Sequence, residues 1–243
     1  MTLVLAHGFT QTARSWDRFR ELLRTHGVED TVAVDLPGHG SASAIRTDLW
    51  GCAEHLVGVG GPGTYCGYSM GGRVALHAAL ASPRLVERLV LVGATAGLDD
   101  DGERASRRAA DEQLAERIEA IGVPAFLDEW LAAPLFAGLS DEAAGREDRR
   151  RNTADGLASS LRLAGTGTQE PLWSRLGEIA VPVLVIVGAD DAKFTEIGRR
   201  LTDALPDASM AIVEGSGHSV HLEQPERTAE VLADWLARTN APD

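Results

Sequence analysis

Lysine is almost absent: Lys193 is the only one among 23 basic residues, which face 36 acidic ones for a formal net charge of −13. A nucleic-acid partner would require a basic patch or stripe, and the sequence has none. Acidity of this size favours solubility instead. Long apolar runs are missing as well. None approaches the roughly 20 residues that span a bilayer, and the N-terminus has no basic segment leading into an apolar one. A cytoplasmic location is expected. The two cysteines, Cys52 and Cys66, are too few for a disulfide framework and lack metal-ligand spacing, so they read as small core residues. There is no internal repeat and no low-complexity linker. What remains is ordinary for a soluble globular chain: 243 residues, 44% hydrophobic and 24% charged, enough for one domain with a large core.

Short apolar runs at Leu3–Ala6, Thr31–Val34, Leu89–Val92, Val183–Val187 and Met210–Val213, with another ending at Tyr65-Cys66, read as strands. Helical spacing is found between them. Trp16, Phe19, Leu22 and Leu23 predict a helix ending at Gly27, Thr47 to Val57 a weaker one, and Pro225 to Arg238 a closing one. Continuous Val/Leu/Ile runs alternating with helices imply an α/β fold with a mostly parallel sheet covered on both faces. From Gly97 to about Leu176 the strand-like runs stop and helices carry the charge. A block of this kind reads as a helical cap above the carboxyl ends of the strands, where a pocket belongs. The expected organisation is a core segment over 1–96, a cap over 97–176 and a second core segment over 177–243.

The stretch Gly67-Tyr68-Ser69-Met70-Gly71-Gly72-Arg73 follows a strand and opens a helical run. On a strand-to-helix turn, Gly-x-Ser-x-Gly marks a nucleophile elbow, in which a strained backbone lifts the serine clear of the sheet and only glycine fits two residues to either side. A serine hydroxyl is a weak nucleophile until a histidine takes its proton and a carboxylate orients that histidine. In this arrangement the order is Ser, then Asp or Glu, then His. Asp190 and Asp191 follow one strand, and His218 follows the next. The Gly-x-x-Asp spacing from Gly188 favours Asp191, with Asp190 facing solvent or bracing the loop. Ser69, Asp191 and His218 are the candidate catalytic residues. The loop after the first strand, His7-Gly8-Phe9, supplies one oxyanion-hole amide at Phe9, and Met70 supplies the other, while His7 braces the loop. His221 has no partner at metal-ligand spacing, so no metal is expected. Gly58 to Gly63 precedes a strand and lacks the Gly-Lys-Ser/Thr ending of a phosphate loop. No cofactor is expected either.

With these residues placed, the whole chain resembles the α/β-hydrolase superfamily. Within it, the chain resembles the family of 2-succinyl-6-hydroxy-2,4-cyclohexadiene-1-carboxylate synthases of menaquinone biosynthesis. The resemblance rests on residues 67–73, on Asp191-Ala192-Lys193-Phe194, on Gly217-His218-Ser219-Val220-His221, and on cap segments around Trp130, Pro134-Leu135-Phe136 and 156–169. It implies the hydrolase fold and a lyase that eliminates pyruvate from an enolpyruvyl cyclohexene polycarboxylate, with Ser69, His218 and Asp191 as the proton-transferring triad and no acyl-enzyme. It also implies that Arg73, Arg107 and Arg151 bind carboxylates, with Trp130 and Tyr68 in contact with substrate. Spacing supports the arginines. Arg73 lies one turn after Ser69 on the same helical face. Arg107 is in phase with Leu114, Ile118 and Ile121, and Arg151 with Ala154, Ala158 and Leu161. Arg108, Arg149 and Arg150 read as solvated neighbours. A carboxylesterase or enol-lactone hydrolase working through an acyl-enzyme is the alternative enzyme, and a ligand sensor that retains the triad is the alternative class.

Overall fold

The computed structural model describes residues 2–239, so the first residue of the expected core segment 1–96 and the last four of 177–243 lie outside the described residues. Six strands form one sheet: β1 (Thr2–Ala6), β2 (Thr31–Val34), β3 (Gly63–Tyr68), β4 (Val86–Val92), β5 (Val183–Gly188) and β6 (Ala208–Val213). Their order is β2-β1-β3-β4-β5-β6, and every neighbouring pair is parallel. Parallel neighbours need crossovers, and these are helices α1 (Asp17–Thr25), α2 (Leu49–Gly60), α3 (Met70–Ala81) and α7 (Ala192–Ala204). The short α8 (Val220–Glu223) and the long α9 (Pro225–Thr239) follow β6.

Alternation along each strand divides the core in two. Leu3, Leu5, Cys66, Val90, Val92, Leu184 and Ile186 face α1 and α9, against Trp16, Phe19, Leu232 and Trp235. Val4, Tyr65, Leu89, Leu91, Val183 and Val185 face the opposite way, toward α2, α3 and α7. Each such Val or Leu, buried fully, contributes about 1.5–3 kcal/mol, which is why both faces of every inner strand are apolar. Cys52 and Cys66 are each 1% exposed, and burial pushes both thiols up to about 12, so they are inert packing groups.

Between β4 and β5 lie α4 (Asp101–Leu131), α5 (Arg146–Arg149) and α6 (Ala154–Ala164), with no strand among the described residues of that segment. Asp100 caps α4 by accepting the Glu103 amide at 2.8 Å, and Thr153 caps α6 by accepting that of Gly156 at 3.1 Å. The helix α4 breaks at Gly122, whose φ of 76° and ψ of 166° are not helical, and Pro124 starts the second half in the first turn, where its missing N–H costs nothing. The break folds the second half back so that Phe126 and Leu127 join Ala115, Ile118, Leu157, Ala158 and Leu161 in a small separate core. Phe9 and Trp130 pack at its edge.

Candidate active site

Ser69 sits between β3 and α3 with φ 52° and ψ −107°, a left-handed conformation that costs a non-glycine residue roughly 1–3 kcal/mol. Crowding accounts for the flanking glycines. A Cβ on Gly67 would lie 2.2 Å from the Gly71 carbonyl oxygen, and one on Gly71 would lie 2.1 Å from that of Ala6. The strained turn aims Ser69 Oγ at His218, whose Nε2 is 3.2 Å away. His218 Nδ1 lies 3.0 Å from Asp191 Oδ2, while Asp191 Oδ1 accepts the Phe194 amide at 3.1 Å and so caps α7. Burial alone would raise the Asp191 carboxyl, but the hydrogen bond from His218, the Phe194 amide and the nearby Lys193 charge together hold it below its usual value. Asp190 is exposed.

Phe9 and Met70 line the same pocket as Ser69. Met70 is the first residue of α3, so its amide has no acceptor within the helix and stands at the positive end of the helix dipole. The Phe9 loop is held from behind. His7 Nε2 accepts the Leu36 amide at 3.0 Å, which leaves Nδ1 to donate to the Gly8 carbonyl at 2.9 Å. Next to Phe9, Thr10 takes a φ of 68°, a second strained residue at the site.

The pocket has a volume of about 210 Å³. Its far wall is aromatic: Trp130 packs edge-on to Phe9 at 5.4 Å between ring centroids and against Phe136 at 5.5 Å. Tyr68 also borders it, with its ring 5.4 Å from that of His218 and its hydroxyl 2.7 Å from Ser219 Oγ. Three guanidinium groups enter. Arg73, 7% exposed, donates to the Ala164 carbonyl at 2.9 Å. Arg107 is half-buried and donates to Asp111 at 2.7 Å. The third is Arg149, 2% exposed, which donates to the Ala144 carbonyl at 2.7 Å, to the Phe9 carbonyl and to Thr10 Oγ1. Burial lowers both Arg73 and Arg149 to about 10, which leaves them charged at neutral pH. In hydrogen bonds these two meet neutral oxygens only, so their charge is available to an anion.

Arg151 corrects the sequence-based expectation. Its side chain is 50% exposed and 4.0 Å from Asp148, away from the pocket that holds Ser69. The phase shared with Ala154 and Ala158 does not reach it because α6 starts at the Thr153 cap, whose extended backbone resets the direction of the chain. Arg149, expected in solvent, points inward instead. Lys193, quoted only as part of a motif, lines the pocket at its exposed rim. His221, 1% exposed, stacks on Trp16 at 4.3 Å, and burial lowers it to about 3, so it is a neutral packing group.

A strained serine on a strand-to-helix elbow, facing a histidine and an aspartate from successive strand ends of a parallel sheet, defines a class. The chain belongs to the alpha/beta hydrolase family, whose model matches residues 3–231. A Serratia proteamaculans (strain 568) relative named 2-succinyl-6-hydroxy-2,4-cyclohexadiene-1-carboxylate synthase is 33% identical over 244 residues, covering 96% of this chain and 92% of its own. A Bacillus subtilis (strain 168) protein that bears the same name provisionally is 36% identical over 254 residues, covering 96% of this chain and 89% of its own. Within the hydrolases, the chain therefore falls in the family of these synthases. Among solved structures, MenH from S. aureus matches with a TM-score of 0.89 and 27% identity, covering 99% of this chain and 95% of that one. A thermophilic esterase from Thermogutta terrifontis, at TM-score 0.84 and 24% identity over 99% of this chain and 91% of its own, shares the fold.

Proposed function

We propose that the protein is a lyase that eliminates pyruvate from 2-succinyl-5-enolpyruvyl-6-hydroxy-3-cyclohexene-1-carboxylate in menaquinone biosynthesis, the reaction that forms the compound its relatives are named for. The observation that carries this reading is the convergence of Arg73, Arg107 and Arg149 on the pocket that holds Ser69. A simple ester needs no such set of cations. A ring bearing several carboxylates does, because each charged hydrogen bond out of bulk water contributes roughly 1.5–3 kcal/mol.

In this reading Ser69, with His218 behind it and Asp191 orienting His218, takes the ring proton beside the succinyl carbonyl. The C–H electron pair shifts through the ring double bond, the C–O bond to the enolpyruvyl group breaks, and its oxygen leaves with the bonding pair as the enolate of pyruvate, which takes up a proton. The amides of Phe9 and Met70 stabilise the charge that develops on the succinyl oxygen. Residues 97–176 act as a cap: Arg107, Trp130, Phe136 and Arg149 come from it and complete the pocket above Ser69. Trp130 and Tyr68 hold the ring against the arginines and limit the access of water that acyl-enzyme hydrolysis would require. Arg149 takes the carboxylate role that the sequence pattern suggested for Arg151. A small anionic substrate and a cytoplasmic site of action belong to the same reading; no helix among the described residues is long and apolar enough to cross a membrane.

The test is a paired assay on one preparation, with pyruvate release from the enolpyruvyl substrate on one side and turnover of p-nitrophenyl esters on the other. The expected result is rapid pyruvate release and weak ester turnover, with Ser69→Ala lowering pyruvate release at least about a hundredfold while leaving the fold intact. Rapid ester turnover without pyruvate would move the protein to the carboxylesterase or lactonase reading.

A further inference from the structure

His218 is carried by a loop and not by a strand or helix. The segment from Glu214 to Ser219 joins β6 to α8, holds two glycines and turns at Gly215 with a φ of 67°. A histidine on such a loop needs an external hold, because a base misplaced by about 1 Å can lose on the order of a hundredfold in rate. Upstream, the Ser216 carbonyl accepts the Asp190 amide at 2.9 Å and the Gly215 carbonyl accepts Gln224 Nε2 at 3.1 Å, and at His218 itself the hold is a carboxylate. Glu223 Oε2 accepts the Gly217 amide at 2.7 Å, and Glu223 Oε1 accepts the Ser219 amide at 2.9 Å. These are the amides of the two residues on either side of His218. Both bonds are charge-assisted, the stronger kind.

The same carboxylate touches the cap. A Cβ built on Gly138 would fall 2.2 Å from Glu223 Oε2, so the cap backbone seats on this carboxylate only because residue 138 is glycine. Elsewhere a side-chain tip could swing aside, but here moving it would break its bonds to Gly217 and Ser219. Two residues before Gly138, Phe136 forms part of the pocket wall and packs on Trp130. One short stretch of cap therefore lines the pocket with its aromatic side chain and covers the histidine clamp with its backbone. The Glu223 charge also reaches the site's interior. Burial is the main cause that pushes the Tyr68 hydroxyl up to about 12; its hydrogen bond with Ser219 opposes the rise and Glu223 adds to it.

We propose that Glu223 is a positioning residue that couples the cap to the base, holding both amides that flank His218 while the cap closes over it at Gly138. This rests on the reading of His218 as the base and applies equally to elimination and to acyl transfer. The charged and titratable groups around His218 are Asp191 and Lys193 on the β5–α7 side, Tyr68 below, Arg149 from the cap, and His221 and Glu223 on its own side. Of these, Glu223 alone bonds the backbone on both sides of His218.

The experiment compares Glu223→Gln, Glu223→Asp and Gly138→Ala with wild type, following kcat and KM for pyruvate release. Glu223→Gln is expected to lower kcat about tenfold or more with KM within about twofold, as expected for a misaimed base. Glu223→Asp keeps the carboxylate acceptor and should recover part of the lost kcat. Gly138→Ala should lower kcat in the same sense from outside the clamp. A Glu223→Gln enzyme with wild-type kcat, a loss confined to KM, or a Glu223→Asp enzyme no better than Glu223→Gln overturns the proposal. Should Glu223→Gln fail to fold by circular dichroism, Gly138→Ala decides, and full kcat there overturns it. His218→Ala is measured alongside: if it stays active the base assignment itself has failed, whereas an inactive His218→Ala beside an unaffected Glu223→Gln defeats the clamp alone. If the wild type turns over only esters, the same series is read on ester hydrolysis.

Discussion

Three consecutive arginines separate charge from function at the residue scale. Arg149, Arg150 and Arg151 are chemically identical, yet Arg149 is 2% exposed and points into the pocket, while the Arg150 side chain is 45% and that of Arg151 50% exposed. A guanidinium held out of water by neutral oxygens gains most from an incoming carboxylate, whereas one in solvent exchanges water for the same bond. Arg149→Ala should therefore lower kcat/KM for pyruvate release about ten- to a hundredfold, and Arg151→Ala should stay within about twofold. Because Arg149 also donates to Phe9 and Thr10, its loss should reduce kcat as well as raise KM. The opposite ranking of the two variants would return the carboxylate role to Arg151. Nothing local in the sequence separates them. The helix that ends at Arg149 has four residues, too short for a period to show which side faces inward.

The decisive element is α4, and Gly122 decides its shape. Apolar spacing from Leu114 to Ile121 reads as one helix, and Ile121-Gly122-Val123-Pro124 interrupts it. The backbone at Gly122 occupies a region open almost only to glycine. Gly122→Ala should cost roughly 1–3 kcal/mol, a drop in Tm of about 2–10 °C for a chain of this size, read by thermal unfolding. Since the second half of α4 carries Trp130, the same variant should raise KM more than it lowers kcat. An unchanged Tm would mean that the break is set by packing and not by the glycine. At this scale the sequence was readable where an element is long and regular. The strand runs and the helices over 17–25, 49–60 and 225–239 lie within a few residues of their expected positions, while the break in α4 and the short α5 were not foreseen.

For the whole molecule, buried histidines set the response to acid. Burial lowers His7, lowers His39 and His221 to about 3, and lowers His77 to about 4. Unfolding exposes each to water, where it takes up a proton near pH 6.5. The folded state is thus favoured fully above pH 6.5 and loses stability as pH falls from there toward the lowered values, at up to about 1.4 kcal/mol per pH unit for each proton that only the unfolded chain binds. Asp35 and Asp191, held below the usual carboxylate range, add a further loss only below about pH 4. The urea midpoint should fall clearly between pH 7.5 and pH 5. A flat midpoint over that range would contradict the buried, neutral state of these four side chains.

Local covalent geometry and periodicity already specified much of this protein in one dimension. Apolar runs of strand length, the glycines around Ser69, and the order of Ser69, Asp191 and His218 at successive strand ends all follow from constraints within a few residues of each position. Strand order, the inward turn of Arg149 and the grip of Glu223 on the His218 loop did not. Arg149 finds Thr10 across 139 residues, and Tyr68 finds Ser219 across 151. Contacts at such separations depend on which surfaces are buried together once the sheet has formed, and a side chain's chemical type does not record whether water will still reach it.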